Sequence, residues 1–284
     1  MKQPALCLML VSVLTAATAS GQSQPPTSRG GATPFEIIDN SFLVEEAFNK
    51  ERAIVQNIFA FSRSRDSGWV MSFTQEWPAP GQRHQLSYTL PYVGADGASG
   101  LGDVLINYRY QAVVESGRHP AFAPRLSLVL PTGSERDSLG NGVVGLQLNL
   151  PFSRQIDDLY LHWNAGLTYW PGVDASTRFG LRAPDGPVKI GLLSPQLAAS
   201  AIWRARPMVN LMFEAVAAFD EFIHGPDSTA RELTITLSPG VRGGWNLGNK
   251  QLILGLAVPI GLANGAADPA ILSYVSYELP FHRK

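Results

Sequence analysis

Over long stretches of this chain every second residue is apolar, and that period of two decides what it can fold into. Leu159, Leu161, Trp163, Ala165, Leu167 and Tyr169 alternate with Tyr160, His162, Asn164, Gly166 and Thr168. Val144, Leu146, Leu148, Leu150 and Phe152 alternate with Gly145, Gln147 and Asn149, and Val104, Ile106, Tyr108 and Tyr110 with Asp103, Asn107, Arg109 and Gln111. Leu233, Ile235, Leu237 and Val241 stand against Thr234, Thr236, Ser238 and Arg242. Successive side chains of a strand point to opposite faces, so each stretch predicts a strand with one apolar and one polar side.

About twelve such segments follow one another, at the length of roughly 10 residues expected of a membrane-crossing strand. They lie near 53–62, 69–78, 83–92, 102–115, 121–131, 142–153, 158–170, 190–204, 207–220, 231–245, 250–261 and 270–281. The first does not settle on one face, since Ile54, Val55, Ile58, Phe59 and Phe61 share both parities. The connections alternate in kind. Ala79–Gln82, Ser116–Pro120, Arg154–Asp157, Ala205–Arg206 and Leu247–Asn249 are tight, whereas Gly94–Gly100, Thr132–Asn141, Gly172–Pro187, Glu221–Ala230 and Leu262–Asp268 are longer and more polar. Short turns on one rim and long loops on the other are the habit of outer-membrane barrels, and an even strand count puts both ends on the short-turn side.

Which face is outermost follows from size. Roughly eight strands already leave room only for side chains or one small ligand, so twelve with aliphatics inward would enclose a void. Turning the apolar face out to lipid and the polar face toward a wet lumen removes it. A secreted soluble sandwich or lipocalin-like barrel is the alternative. Trp69, Trp77, Tyr88, Tyr92, Phe122, Phe152, Trp163, Tyr169, Trp203, Phe213, Phe219 and Trp245 fall mostly toward strand ends on the apolar parity, as interfacial girdles do. Charged residues are only 16% of the chain, against roughly 25% in soluble domains. The predicted fold class is therefore all-β, a closed antiparallel transmembrane β-barrel of about 12 strands over 51–284.

The N-terminal region reads differently. Lys2, the apolar run from Ala5 to about Ala17, and the small residues Ala17-Thr18-Ala19-Ser20 predict a signal peptide over 1–19, cleaved after Ala19. The run is shorter than the roughly 20 residues of a spanning helix. Cys7, the one cysteine, lies inside this signal and not at its cleavage point, which excludes lipidation, disulfides and a thiol nucleophile from the mature chain. Residues 20–50 form a leader, Pro/Ser/Gly-rich from Gln22 to Ala32, then an amphipathic stretch from Phe35 to Lys50. A short helix is expected around Ser41–Lys50, capped by Asn40 or Ser41, serving as a lumen plug or a periplasmic lead-in.

The search for chemistry excludes more than it finds. A net charge of −1 gives no electrostatic case for nucleic acid. Gly140-x-Gly142-x-x-Gly145 has dinucleotide spacing but ends a polar loop and enters a strand instead of opening a helix. There is no HExxH, GxSxG or P-loop lysine, so no catalytic, metal or cofactor residues are assigned. His162 and Asn164 share a polar face, yet no serine is evidently paired with His162, which makes a membrane lipase the weakest reading. The polar faces carry Glu76, Asp103, Arg109, Arg125, His162, Glu214, Glu232, Arg242 and Glu278. These are the candidate lumen-lining selectivity residues, either as a salt-bridge filling or as a polar constriction.

The segments Gly100-Leu-Gly-Asp103-Val-Leu-Ile-Asn-Tyr-Arg-Tyr110 and Ala123-Pro-Arg-Leu-Ser-Leu-Val-Leu-Pro-Thr-Gly-Ser134 resemble those of the outer-membrane transporters associated with the meta-pathway of phenol degradation. The likeness spans about residues 50–281. It implies a barrel that passes small, aromatic compounds and supplies no catalytic residues. Val275, Tyr277, Leu279 and Phe281 resemble the terminal strand by which the barrel-assembly machinery takes up its clients, with Pro280 and His282-Arg283-Lys284 departing from it. The expected function is a passive outer-membrane channel, with loop Gly172–Pro187 gating the outer mouth. The expected partners are outer-membrane lipid, the assembly machinery and a small-molecule solute. A closed structural or adhesion barrel plugged by Phe35–Lys50 is the alternative.

Overall fold

The computed structural model describes residues 37, 41–50, 53–65, 68–95, 97–179 and 188–281. The expected signal peptide (1–19) and most of the leader lie outside them. Alternation produces the predicted barrel: twelve antiparallel staves that close on themselves. The first three are β1 (Ile54–Ser64), β2 (Trp69–Pro78) and β3 (His84–Ala95). The fourth is broken into β4 (Ala98–Leu101) and β5 (Val104–Tyr110), both paired with β3. The fifth comprises β6 (Ala121–Phe122) and β7 (Arg125–Leu130), both paired with β8 (Gly145–Ile156). Next come β9 (Leu159–Asp174), the one-turn helix α1 (Ala175–Phe179), β10 (Lys189–Arg206), β11 (Val209–Gly225) and β12 (Ser228–Leu247). The eleventh stave is β13 (Lys250–Ala257) with β14 (Ile260–Ala263). The last, β15 (Ala266–Pro280), pairs with β1 from Ile54↔Pro280 to Ser64↔Ala270 and closes the ring. Pro124 and Pro259 fall at two of the breaks, because proline has no N–H for the ladder.

The parity of each strand is the one expected. Leu197, Trp203, Leu211, Phe213, Leu256 and Ile271 stand exposed on the outer face, while Ser72, Thr89, Asn107, Ser127 and Thr236 are buried on the inner one. Stacked pairs such as Trp69–Tyr92 and Phe152–Trp163 lie on the outside. This outer belt suits hydrocarbon. Leu256→Arg is expected to cost about 2–4 kcal/mol of unfolding free energy in lipid vesicles if its outward site meets the bilayer interior. A urea titration showing a change within about 0.5 kcal/mol, as at an ordinary water-facing site, would count against that placement.

Two expectations need correction. Three of the loops expected on the far rim are strand instead. β11 runs on to Gly225 and β12 begins at Ser228, β3 ends at Ala95 with β4 from Ala98, and β14 turns into β15 through Asn264-Gly265. Both turn residues of the last have positive φ, as a two-residue hairpin turn requires. The polar residues of these segments are the ends of long hairpins whose ladder continues past the apolar belt. Among the described residues, 131–144 is the long connection on that rim that contains no strand. The second correction concerns the segment 41–50, which is not helical.

Candidate functional site

Residues 41–50 lie inside the barrel. Every one is buried, although none belongs to a strand or a helix. A helix would satisfy its N–H groups with its own carbonyls; here the wall's side chains take them. One carboxylate oxygen of Glu214, on β11, accepts the N–H groups of Phe42, Leu43 and Val44 at 3.0, 2.8 and 3.1 Å. Asn164 of β9 accepts the Glu45 N–H at 2.7 Å and returns its own amide N–H to the Glu45 carbonyl at 2.6 Å. Ser153 of β8 accepts from Ala47, Gln111 from Asn49 and Gln85 of β3 from Lys50. The segment thus crosses the lumen from the β3 and β15 side, where Lys50 pairs with Glu278 at 2.5 Å, to β10, where the Ser41 hydroxyl donates to that of Ser200 at 2.6 Å. The Ile37 N–H donates to the Pro207 carbonyl in the β10–β11 turn. Lys50 and Ile37 both lie toward the short-turn rim.

At the centre of the crossing stands Glu45, fully buried. Arg125 donates to its carboxylate at 2.8 Å, Arg109 at 3.3 Å and the Asn149 amide at 2.5 Å. Arg109 also donates to Asn49 Oδ1 and to the carbonyls of Glu46 and Phe48, so one guanidinium grips four residues of the segment. Arg125 is held in turn by Asn107, Ser127 and Gln147. A guanidinium is the group that can fork in this way, because its five N–H donors lie fixed in a plane.

The apolar side chains of the segment meet an apolar patch of the inner wall. Ile37, Phe42, Leu43 and Val44 cluster with Ile58, Ile202, Met212, Val216, Ile253, Leu272 and Tyr274. Phe42 lies 5.1 Å from the Tyr274 ring, centroid to centroid, and directly on Gly255, where any Cβ would overlap its ring. The lumen is therefore not lined by polar residues alone. Beneath the segment, toward the short turns, an open vestibule of about 450 Å³ is bounded by Phe48, Gln111, Glu115, Arg154 and Tyr160.

Of the nine residues singled out in the sequence, four touch the segment: Arg109, Arg125, Glu214 and Glu278. Glu76 reaches it at one remove, accepting from the amide of Gln85 at 3.0 Å. His162 does so through Ser153, whose hydroxyl lies 2.7 Å from Nδ1, and packs edge-on against Phe48. The expectation that no serine pairs with His162 is thus overturned. Sheet register puts Ser153 opposite His162 across β8 and β9, which no spacing within one strand reveals. Since Ser153 also accepts the Ala47 N–H, the pair serves here to hold the segment. Arg242 is buried on the inner face of β12, in register with Asn210 and Gly255. Asp103 and Glu232 stand apart at the far rim, Asp103 against the 131–144 loop and Glu232 accepting from Asn264. Sequence reasoning missed Glu45, Ser153 and the Gly255 socket, because none shows what faces it across the lumen.

Among solved structures, the barrel is similar to the COG4313 outer membrane channel from Pseudomonas putida F1, at 12% identity over 90% of this chain and 99% of that one, with a TM-score of 0.57. The NanC porin (9% identity, 78% of this chain and 100% of that one, TM-score 0.47) and the KdgM porin (11%, 80% and 99%, 0.45) are more distant in shape. At these identities the likeness is one of fold. No family model and no curated protein matches the sequence.

Proposed function

We propose that the protein is an outer-membrane channel for passive passage of small molecules, closed in this conformation by its own residues 41–50. The observation that carries this reading is how the segment is held. It adds no strand to the sheet, and its main chain is gripped by wall side chains that water could serve equally well. A barrel meant to stay filled would be served better by an apolar core, since buried ion pairs seldom out-stabilise well-packed hydrophobic residues. The outer belt suits a bilayer, and the structurally similar protein from Pseudomonas putida is an outer membrane channel. Export by the signal over 1–19 and assembly through the β15 terminus with Val275, Tyr277, Leu279 and Phe281 belong to the same proposal. Once the segment has left, Arg109, Arg125, Glu214 and Arg242 would face the solute and set its selectivity. The resemblance of the Gly102-Asp103 and Pro131-Thr132-Gly133 segments to phenol-pathway transporters makes aromatic compounds the proposed cargo.

Solute flux into proteoliposomes tests this. The mature chain from Ser20 is expected to pass little of either a small sugar or a phenolic acid. The chain beginning at Glu51 is expected to pass both, with the phenolic acid favoured. If the shortened barrel is folded and still passes neither, the structural plugged barrel is the better reading.

A further inference from the structure

Three features that the sequence offered separately meet at the far rim: the Gly102-Asp103 strand opening, the Pro131-Thr132-Gly133 strand exit and the Gly140-x-Gly142-x-x-Gly145 spacing. Asp103 lies on the inner face, buried, and its two carboxylate oxygens accept the N–H groups of Gly133 and Asn141, each at 3.0 Å. Thr132 adds a bond from its hydroxyl to the Gly102 carbonyl at 2.6 Å and accepts the Val104 N–H at 3.0 Å. The two ends of the 131–144 loop are thus clipped to one strand break. The clip is tight: a Cβ on Gly140 would overlap the Asp103 carboxylate, and one on Gly133 the Leu139 carbonyl.

The clip turns the loop into the lumen. Leu139, 7% exposed, packs with Ala60, Val70 and Val93, the inward residues of β1, β2 and β3. Val143 packs with Trp170, Val173 and Leu192, the inward residues of β9 and β10. Leu105 and Val129, between these groups, are buried on the same inner face. The far half of the lumen is therefore apolar along an arc of the wall from β1 to β10, among inward serines and threonines such as Ser62, Ser72 and Ser194. The loop spans it from one wall to the other, on the far-rim side of residues 41–50 and the polar cluster that holds them.

We infer that loop 131–144 is a second, permanently docked constriction, with Asp103 its positioning residue and Leu139 the side chain that sets what passes. Its role in passage rests on the channel reading; its docking does not. A solute entering from the far rim must pass this apolar constriction before it reaches the buried charges of Arg109, Arg125 and Glu45. Apolar and flat solutes, which lose little by shedding water, pass it more readily than polyhydroxylated ones of the same size.

Docking is tested in the full chain with Cys7 changed to serine and a reporter thiol at Val93→Cys, beneath Leu139. Maleimide labelling is expected to be slow, and to speed up at least about tenfold when Asp103→Ala removes both charge-assisted bonds. Equal rates in two barrels of equal heat-modifiability on gels would overturn the inference. Should Asp103→Ala not fold, Leu139→Ala, which leaves the clip intact, is expected to expose the same thiol. Passage is tested in the full chain carrying Gly255→Val, whose added methyl groups cannot share the wall with Phe42. Adding Leu139→Ala to it is expected to lower the phenolic-acid-to-sugar flux ratio at least about threefold, roughly the worth of one apolar contact. An unchanged ratio sinks the role assigned to Leu139. Absence of all flux in Gly255→Val counts instead against the channel reading, and the labelling result then decides the docking alone.

Discussion

Glu45→Ala is expected to free the lumen segment and convert a barrel that rarely conducts into one that mostly does. Its carboxylate is the charge that Arg109 and Arg125 share in the closed state, with all three side chains at most 3% exposed. Removing one member of a buried ionic group leaves the rest uncompensated and costs about 3–5 kcal/mol. Here the cost falls on the closed state, because both guanidinium groups regain water only when the segment leaves. At 1.4 kcal/mol per factor of ten, the closed-to-open ratio should fall by roughly two to three and a half powers of ten. Single-channel recording in planar bilayers reads this as open fraction. Glu45→Gln keeps the size and part of the hydrogen bonding, so it should fall between wild type and alanine. A folded Glu45→Ala barrel as silent as the wild type would mean that this group does not hold the gate.

The same cluster shows how far the sequence could be read. Arg109, Arg125, His162 and Glu214 are inward by strand parity alone, and the structure has them inward. Their partner Glu45 could not be assigned, because periodicity gives the face of a residue and says nothing of what lies across a lumen. The 41–50 segment misleads for a related reason. Phe42, Leu43 and Phe48 suggest a helical stripe, but that prediction assumes the backbone must serve its own N–H groups. Glu214, Asn164, Ser153, Gln111 and Gln85 serve them instead, and the segment stays irregular. β1 had no legible face because Ile58 turns inward to the cluster around Phe42 while Phe59 and Phe61 face out. Its ambiguity was itself a trace of the plug: an aliphatic side chain belongs on a lumen wall only where something apolar covers it. Strands such as β8 and β12, whose inner faces meet polar neighbours through most of their length, alternate cleanly, and their faces are legible from the sequence even where their ends are not.

Gly255→Val separates the plug from its charges. The residue lies on the inner face of β13, in a ladder with Arg242 on one side and Tyr274 on the other, and its missing side chain is the space that the Phe42 ring fills. A valine suits a strand, so the barrel itself should tolerate it. With the segment seated, however, its methyl groups and the ring would claim one volume. Overpacking of this kind costs typically 1–3 kcal/mol, more where backbone stands behind the clash, as the β13 strand does here. Moving the segment out is the relief open to it, so open fraction should rise by at least about tenfold with barrel stability nearly unchanged. Phe42→Ala alone should also open the gate, since emptying a buried aromatic site costs about 3–5 kcal/mol. The two changes together supply the decisive comparison. In Phe42→Ala/Gly255→Val the valine fills part of the space that the ring has vacated, so the double variant should close more often than the sum of the two single effects allows. Strict additivity in a double-mutant cycle would show that Phe42 and Gly255 do not meet when the channel is shut, and the socket would then lose its role in the gate.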